Sequence, residues 1–225
     1  MSDSKEIILC QPDSRKGCSV CCGLFNMLDC SREALAGFLE GGETRERTLA
    51  TYENHVLSQR VRDPHAHVCP YQGFLSAGRP GCHIHPLSSG VEGRDRSLFS
   101  CKICSSFLCP AHVILSSGEK MALIRHVNDW YLYSAAIADP ESFLCMLHFI
   151  MNEYGIRMDD DAAGTLLNAG LEAHAGLLTS GDGTIFHYSR PEYMLHREEF
   201  CIKYNEERRN SVLAIIKDAA RAAGL

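Results

Sequence analysis

Asp139-Pro-Glu-Ser-Phe-Leu-Cys-Met-Leu-His-Phe-Ile-Met-Asn-Glu-Tyr-Gly155 is the stretch whose pattern decides the fold. Asp139 is a good N-cap, and Pro140 suits the first helical position, where its missing N–H costs nothing. Phe143, Leu147, Ile150, Met151 and Tyr154 fall on one face at helical spacing, and Gly155 is the residue that a left-handed stop prefers. A capped amphipathic helix is predicted here, and its apolar face needs partners. The flanking chain offers them. Met121 to Ala138 places Ile124, Val127, Trp130 and Tyr131 on one side, and Asp161 to Leu178 turns Leu166, Leu167, Leu171 and Leu178 inward. The segment Thr179 to Thr184 reads as a turn at the tip of a short hairpin ending in Ile185, Phe186 and Tyr188. From Pro191 the pattern is helical again with a break near Asn205, and Val212, Ile215, Ile216, Ala219 and Ala223 form the last stripe.

Working toward the N-terminus, Asp29 to Gly42 predicts a helix capped by Asp29 or Ser31, with Leu35, Phe38 and Leu39 as its stripe and Gly41 and Gly42 as its stop. A more polar helix is expected from about Thr44 to Val61, with Leu49, Tyr52, Val56 and Leu57 at helical spacing. Then the pattern breaks. From Arg62 to Ala111 Pro and Gly recur, no helical period is sustained, and only short stretches can pair as strands. A compact domain seldom carries so long a loop without some organising element, and metal ligation is the natural one. The expectation is a mainly α fold, with an irregular cysteine-rich metal-binding half (residues 1–117) packed with a multi-helix half (residues 118–225). The helices could equally wrap the metal-bearing loops into one continuous domain.

All but Cys145 and Cys201 of the twelve cysteines lie within residues 10–109, and they are bunched. Cys18, Cys21 and Cys22 stand in Gly17-Cys-Ser-Val-Cys-Cys-Gly23, Cys69 and Cys82 bound the stretch between, and Cys101, Cys104 and Cys109 follow. Close thiol pairs joined by long spacers suit a thiolate metal site, because a short loop turns two sulfurs toward one ion while others arrive from elsewhere. Cys10, Cys30, Cys145 and Cys201 lie alone or on helix faces and read as packed thiols. The other eight are the candidate metal ligands. Consecutive side chains tend to diverge, so Cys21 and Cys22 are awkward on one ion: either one binds while the other packs, or they serve two metals. Eight thiolates fill two four-cysteine sites, or one site with supporting thiols. Soft sulfur suits zinc and iron-sulfur clusters alike.

The run Cys18-Ser-Val-Cys21-Cys22-Gly, followed by Cys69-Pro-Tyr and Gly81-Cys82-His-Ile-His-Pro, resembles the zinc- or iron-chelating family known by its CxxCxxxxCC signature. The resemblance covers Gly17 to Cys109, with Arg15 where that family usually has a further cysteine. It implies a bound zinc or iron-sulfur cluster and leaves the biochemical role unassigned.

Bulk properties narrow the partners. The chain has 225 residues, 45% hydrophobic and 22% charged, with a net charge of −6, so nothing draws it as a whole to nucleic acid or anionic lipid. No apolar run reaches the ~18 residues of a membrane span, and Ile7 to Leu9 is too short for a signal-peptide core. A cytoplasmic setting is expected, with no membrane association and a protein partner left open. In a reducing compartment clustered cysteines are better explained as ligands than as disulfides. The competing reading is a metal-dependent enzyme, hydrolytic or redox, using a Cys/His site. His65 with His67 and His83 with His85 form His-x-His pairs, His112 follows Cys109 by three residues, and Asp63 or Glu92 could supply a carboxylate. No HExxH, GxSxG, Walker A or GxGxxG pattern is present, and neither CxxC pair is expected to open a helix after a buried strand in the thioredoxin manner. A third reading is a structural zinc module that shapes a partner-binding surface.

Overall fold

The computed structural model describes residues 7–41, 59–64, 66, 68–76, 78–179 and 190–225. It is mainly helical, with one two-stranded antiparallel sheet among the described residues. The expected helix over Thr44 to Val61 lies largely outside them, as do His65, His67 and the turn and hairpin beyond Thr179.

Helix α1 (Arg32–Gly41) buries Leu35, Phe38 and Leu39, and Ser31 Oγ accepts from Ala34 N at 3.3 Å. Strands β1 (Gln72–Ser76) and β2 (Arg79–Cys82) pair with Gln72 opposite Cys82 and Phe74 opposite Pro80. Three short helices follow in the stretch where the sequence shows no helical period: α2 (Pro86–Ser89), α3 (Ser100–Ser106) and α4 (Pro110–Ile114). One or two turns are too short to display a stripe. Pro86 and Pro110 open two of them at the first helical position.

The longer helices are α5 (Ser117–His126), α6 (Trp130–Ala138), α7 (Pro140–Tyr154), α8 (Asp161–Thr179), α9 (Arg190–Phe200) and α10 (Glu206–Ala223). The expectation of one helix from Met121 to Ala138 needs correction. Val127 is extended, and Asp129 accepts from Tyr131 N at 3.0 Å and Leu132 N at 2.9 Å, so its carboxylate starts a new helix. Helix α7 forms as its sequence predicts, with Phe143, Leu147 and Ile150 buried and Gly155 left-handed at φ 63°. The break near Asn205 is also present, with its Oδ1 accepting from Arg208 N at 3.0 Å. In α10 the buried residues are Val212, Ile216 and Ala220, while Ile215 faces outward.

Helix α8 is the hub, packing against α10, α7, α5 and α6. One hydrophobic cluster joins Leu24, Phe25, Leu35 and Leu39 to Leu123, Phe143, Leu167 and Ile216, so the cysteine-bearing chain and the helices share apolar packing. No helix among the described residues is long and apolar enough to cross a membrane.

A buried carboxylate ties the helices together. Asp139, at the α6–α7 joint, accepts from Ser142 Oγ at 2.5 Å and Tyr193 OH at 3.0 Å, and its Oδ2 lies 2.8 Å from His174 Nε2. Ser142 Oγ in turn accepts from Ile202 N at 2.9 Å. Burial pushes the Asp139 carboxyl up, but the bonds and charge from His174 and the bonds from Ser142 outweigh it and hold the group below its ordinary value. A depressed folded value means that this stabilisation is complete above an unfolded value of about 3.9 and fades as pH falls through the folded one. Asp139→Ala strands its partners in the core, so urea denaturation at neutral pH should show a loss of about 3–5 kcal/mol. The gap from wild type should narrow in acid; an equal gap at every pH would mean that the charge contributes nothing.

Candidate metal centre

The cysteines are assembled by backbone ties between remote segments. Cys18 N donates to Cys10 O at 3.0 Å, laying the first cysteine beside the CxxCC run. That run forms a single 3-10 turn, Val20–Cys22, closed by Gly23, whose φ of 88° is a conformation that glycine adopts without strain. Cys22 O then accepts twice, from Cys69 N at 2.8 Å and from Gln72 Nε2 at 2.8 Å, and Gln72 Nε2 also reaches Cys69 O at 3.1 Å. The β1–β2 pairing sets Cys82 opposite Gln72. Gly93 N donates to Ile84 O at 3.1 Å, and Arg94 Nη1 lies 3.5 Å from Cys104 O, which brings α3 back to the same place.

Two residues hold this arrangement from beneath. Asn26 is fully buried; its Nδ2 donates to Asp63 O at 3.0 Å and Ala66 O at 3.2 Å, and its Oδ1 accepts from Asp63 N at 3.0 Å. It thereby aims the chain that leads to Cys69. Gly17 passes so close to β2 that a Cβ there would lie 2.0 Å from Pro80 O.

None of the twelve cysteines forms a disulfide. Cys69 and Cys109 are buried, while Cys10, Cys18, Cys21, Cys22 and Cys82 are part-covered. Burial first, then the neighbouring thiolates, pushes Cys82 up to about 12, and burial raises Cys109 to about 11. Cys10 is raised by burial and then by Cys21 and Cys109, and Cys18 by burial and then by Cys10 and Cys21. Cys22 is raised by its bonds to Cys21 and Cys69, and Cys21 is lowered because Cys22 donates to it. The thiols therefore adjoin in pairs and chains. Among the described residues no group of three or more His, Cys, Asp or Glu is arranged to hold a metal ion as the side chains stand.

Of the eight candidate ligands, a backbone bond joins Cys22 to Cys69 and the hairpin register sets Cys82 opposite Gln72, which holds both. Cys101 faces the acids instead: its N donates to Asp95 Oδ1 at 3.0 Å, and burial, then the charges of Glu92 and Asp95, raise its thiol. It also sits in the first turn of α3, which follows a 3-10 turn and not a buried strand. Cys30 and Cys201 are buried in the main core and Cys145 packs against it. Cys10, read from sequence as a packed thiol, lies beside Cys18; as a lone cysteine it carried no spacing signal. Gln72 and Asn26 were also missed, since a single amide in an irregular stretch has no distinctive pattern.

Two of the candidate histidines have partners of their own. His85 Nδ1 accepts from Leu87 N at 3.1 Å and caps α2, a bond that places the neutral ring's proton on Nε2. Burial, with the Arg94 charge, lowers His85. His112 is buried with Nδ1 3.3 Å from Lys120 Nζ. Glu92 is paired with Arg94 at 2.5 Å. A cleft of about 450 Å³ lined by Ser14, Arg15, Ser76, Gly78, Asn128, Asp129 and Trp130 opens beside the hairpin turn and includes no cysteine.

Comparison with protein-family models, curated proteins and solved structures returns no match.

The close pass at Gly17 gives a local test. Gly17→Ala drives a Cβ into a backbone carbonyl that cannot step aside, and should cost about 1–3 kcal/mol in urea denaturation. Gly37→Ala, in α1 with no atom within 4 Å of its would-be Cβ, should gain up to about 1 kcal/mol. Equal effects at the two positions would mean that the loop does not press on the hairpin.

Proposed function

We propose that the chain is a metal-binding protein that holds zinc or an iron-sulfur cluster through its clustered cysteine thiolates. The observation that supports this reading is the backbone tie of Cys69 to Cys22 and the hairpin register that sets Cys82 opposite Gln72, with Cys18 and Cys21 in the same turn as Cys22 and no disulfide among them. Gathering thiols that repel one another once ionised has no benefit for packing alone, since Val or Ala would fill the same space without that repulsion. A cation reverses the sign: a bound metal favours the thiolate and turns mutual repulsion into shared attraction.

The donor chemistry fits. Thiolates suit tetrahedral zinc and iron-sulfur clusters, and each cysteine can be redirected by rotation about one side-chain bond. In this reading the metal completes the convergence and its binding contributes to folding, as in small metal-organised domains. Gln72, Asn26 and the hairpin hold the backbones in place; a metal would neutralise the thiolates and fix their orientation. Against the rival Cys/His site, the Nδ1 of His85 already accepts from Leu87 N as a helix cap.

Anaerobic purification without chelators, followed by elemental analysis and a visible spectrum, tests the proposal. Tightly bound zinc in a colourless protein, or iron with sulfide-to-iron absorption, is the expected result. A folded protein that carries no metal and takes up neither zinc nor iron with sulfide would overturn it.

A further inference from the structure

Away from the cysteines, we infer that the cleft beside the hairpin turn binds a small organic anion: a flat ring bearing a carboxylate or a phosphate, with its oxyanion on Arg15 and its ring against Trp130. The cleft holds about 450 Å³ between the loop at Arg15, the hairpin turn at Gly78 and the start of α6. That volume lies within the range of small-ligand sites. Binding there needs no metal.

The charge left over in the cleft is positive. Asp129, the acid in its lining, is engaged at both oxygens: Oδ1 accepts from Tyr131 N at 3.0 Å and Leu132 N at 2.9 Å, and Oδ2 pairs with Arg32 Nη1 at 2.5 Å. Asp13, two residues from Arg15, turns its Oδ1 to the backbone N–H groups of Arg15 at 2.7 Å and Lys16 at 2.8 Å. Among the described residues the side chains of Arg15, Asn128 and Trp130 make no hydrogen bond or ion pair, and all three border the cleft. A guanidinium and an indole N–H can only donate, so the open lining is rich in donors and poor in acceptors. The forked guanidinium of Arg15 matches a carboxylate or phosphate with two parallel bonds.

Trp130 supplies the wall for a ring, and its neighbours hold it still. Phe74 makes a T-shaped contact with it, centroids 5.3 Å apart at 85°, and Tyr131 another at 5.7 Å and 69°. A Cβ at Gly78 would lie 3.9 Å from Trp130 Cδ1, so the hairpin turn passes close beside the indole, and its φ of 68° suits glycine. An indole braced in this way and only half-buried offers a flat apolar surface on which a second ring stacks with an offset. An inorganic anion would leave that surface unused, and an uncharged apolar ligand would strand the donors. A ring with an attached oxyanion uses both.

Trp130 is the only tryptophan of the chain, so its fluorescence reports on the cleft without a label. The wild-type chain is titrated at low ionic strength with benzoate, phenyl phosphate, inorganic phosphate and benzylammonium. Benzoate and phenyl phosphate should each change the emission saturably, and whichever binds more tightly identifies the oxyanion that the cleft prefers. Inorganic phosphate should bind more weakly than phenyl phosphate, benzylammonium should give no saturable change, and added sodium chloride should weaken the two ring anions. Arg15→Gln, at an exposed position, should weaken both by about tenfold or more while helical circular dichroism persists. Asn128→Ala, also exposed, gives a second variant whose affinity should fall. No saturable response to either ring anion would overturn the assignment. So would an equal response to benzylammonium, inorganic phosphate binding as tightly as phenyl phosphate, or unaltered affinity in the folded variants.

Discussion

The carbonyl of Cys22 accepts from Cys69 N and from Gln72 Nε2, each at 2.8 Å, and the cysteine region depends on that double tie. It joins the CxxCC turn to the chain almost fifty residues later and fixes where the hairpin begins. Because Gln72 pairs with Cys82, one amide side chain aligns three cysteine-bearing segments. Each such bond contributes only about 1 kcal/mol net, but loss of either partner leaves a buried polar group unsatisfied at a cost of about 1–3 kcal/mol. The tie acts mainly by excluding alternative positions for the loop.

The helical layer supplies what the irregular region lacks. Asp139 gathers Ser142, His174 and Tyr193 from three helices into a buried network, which sets how α7, α8 and α9 meet. Tyr133 and Tyr131 then reach across to Leu9 O and Cys30 O, at 2.9 Å each, so α6 holds the N-terminal chain by two hydroxyls. The cysteine-bearing segments lie on a helical platform whose own geometry is strongly determined.

Legibility in the sequence followed the range of the forces involved. Helix α7 was readable because its cap, proline, stripe and stop all act within a single turn or along one face. The split after His126 was hidden because Val127 continues the apolar spacing while Asp129 acts as a cap, and a carboxylate in that position is compatible with either outcome. Helices α2, α3 and α4 have too few turns to show a period. The thiol region was legible as a composition bias, while Cys30 and Cys201 are buried in the main core and Cys145 packs against it. The neighbours of Cys10 and Cys101 were not legible because they depend on tertiary and loop bonds, Cys18 N to Cys10 O in one case and Cys101 N to Asp95 in the other.

The central claim is that sulfur, rather than imidazole or carboxylate, surrounds a metal in this fold. X-ray absorption at the edge of the bound metal measures that directly. The account predicts a first coordination sphere of about four sulfur atoms, at about 2.3 Å if the metal is zinc. A sphere dominated by nitrogen or oxygen at about 2.0–2.1 Å would contradict it.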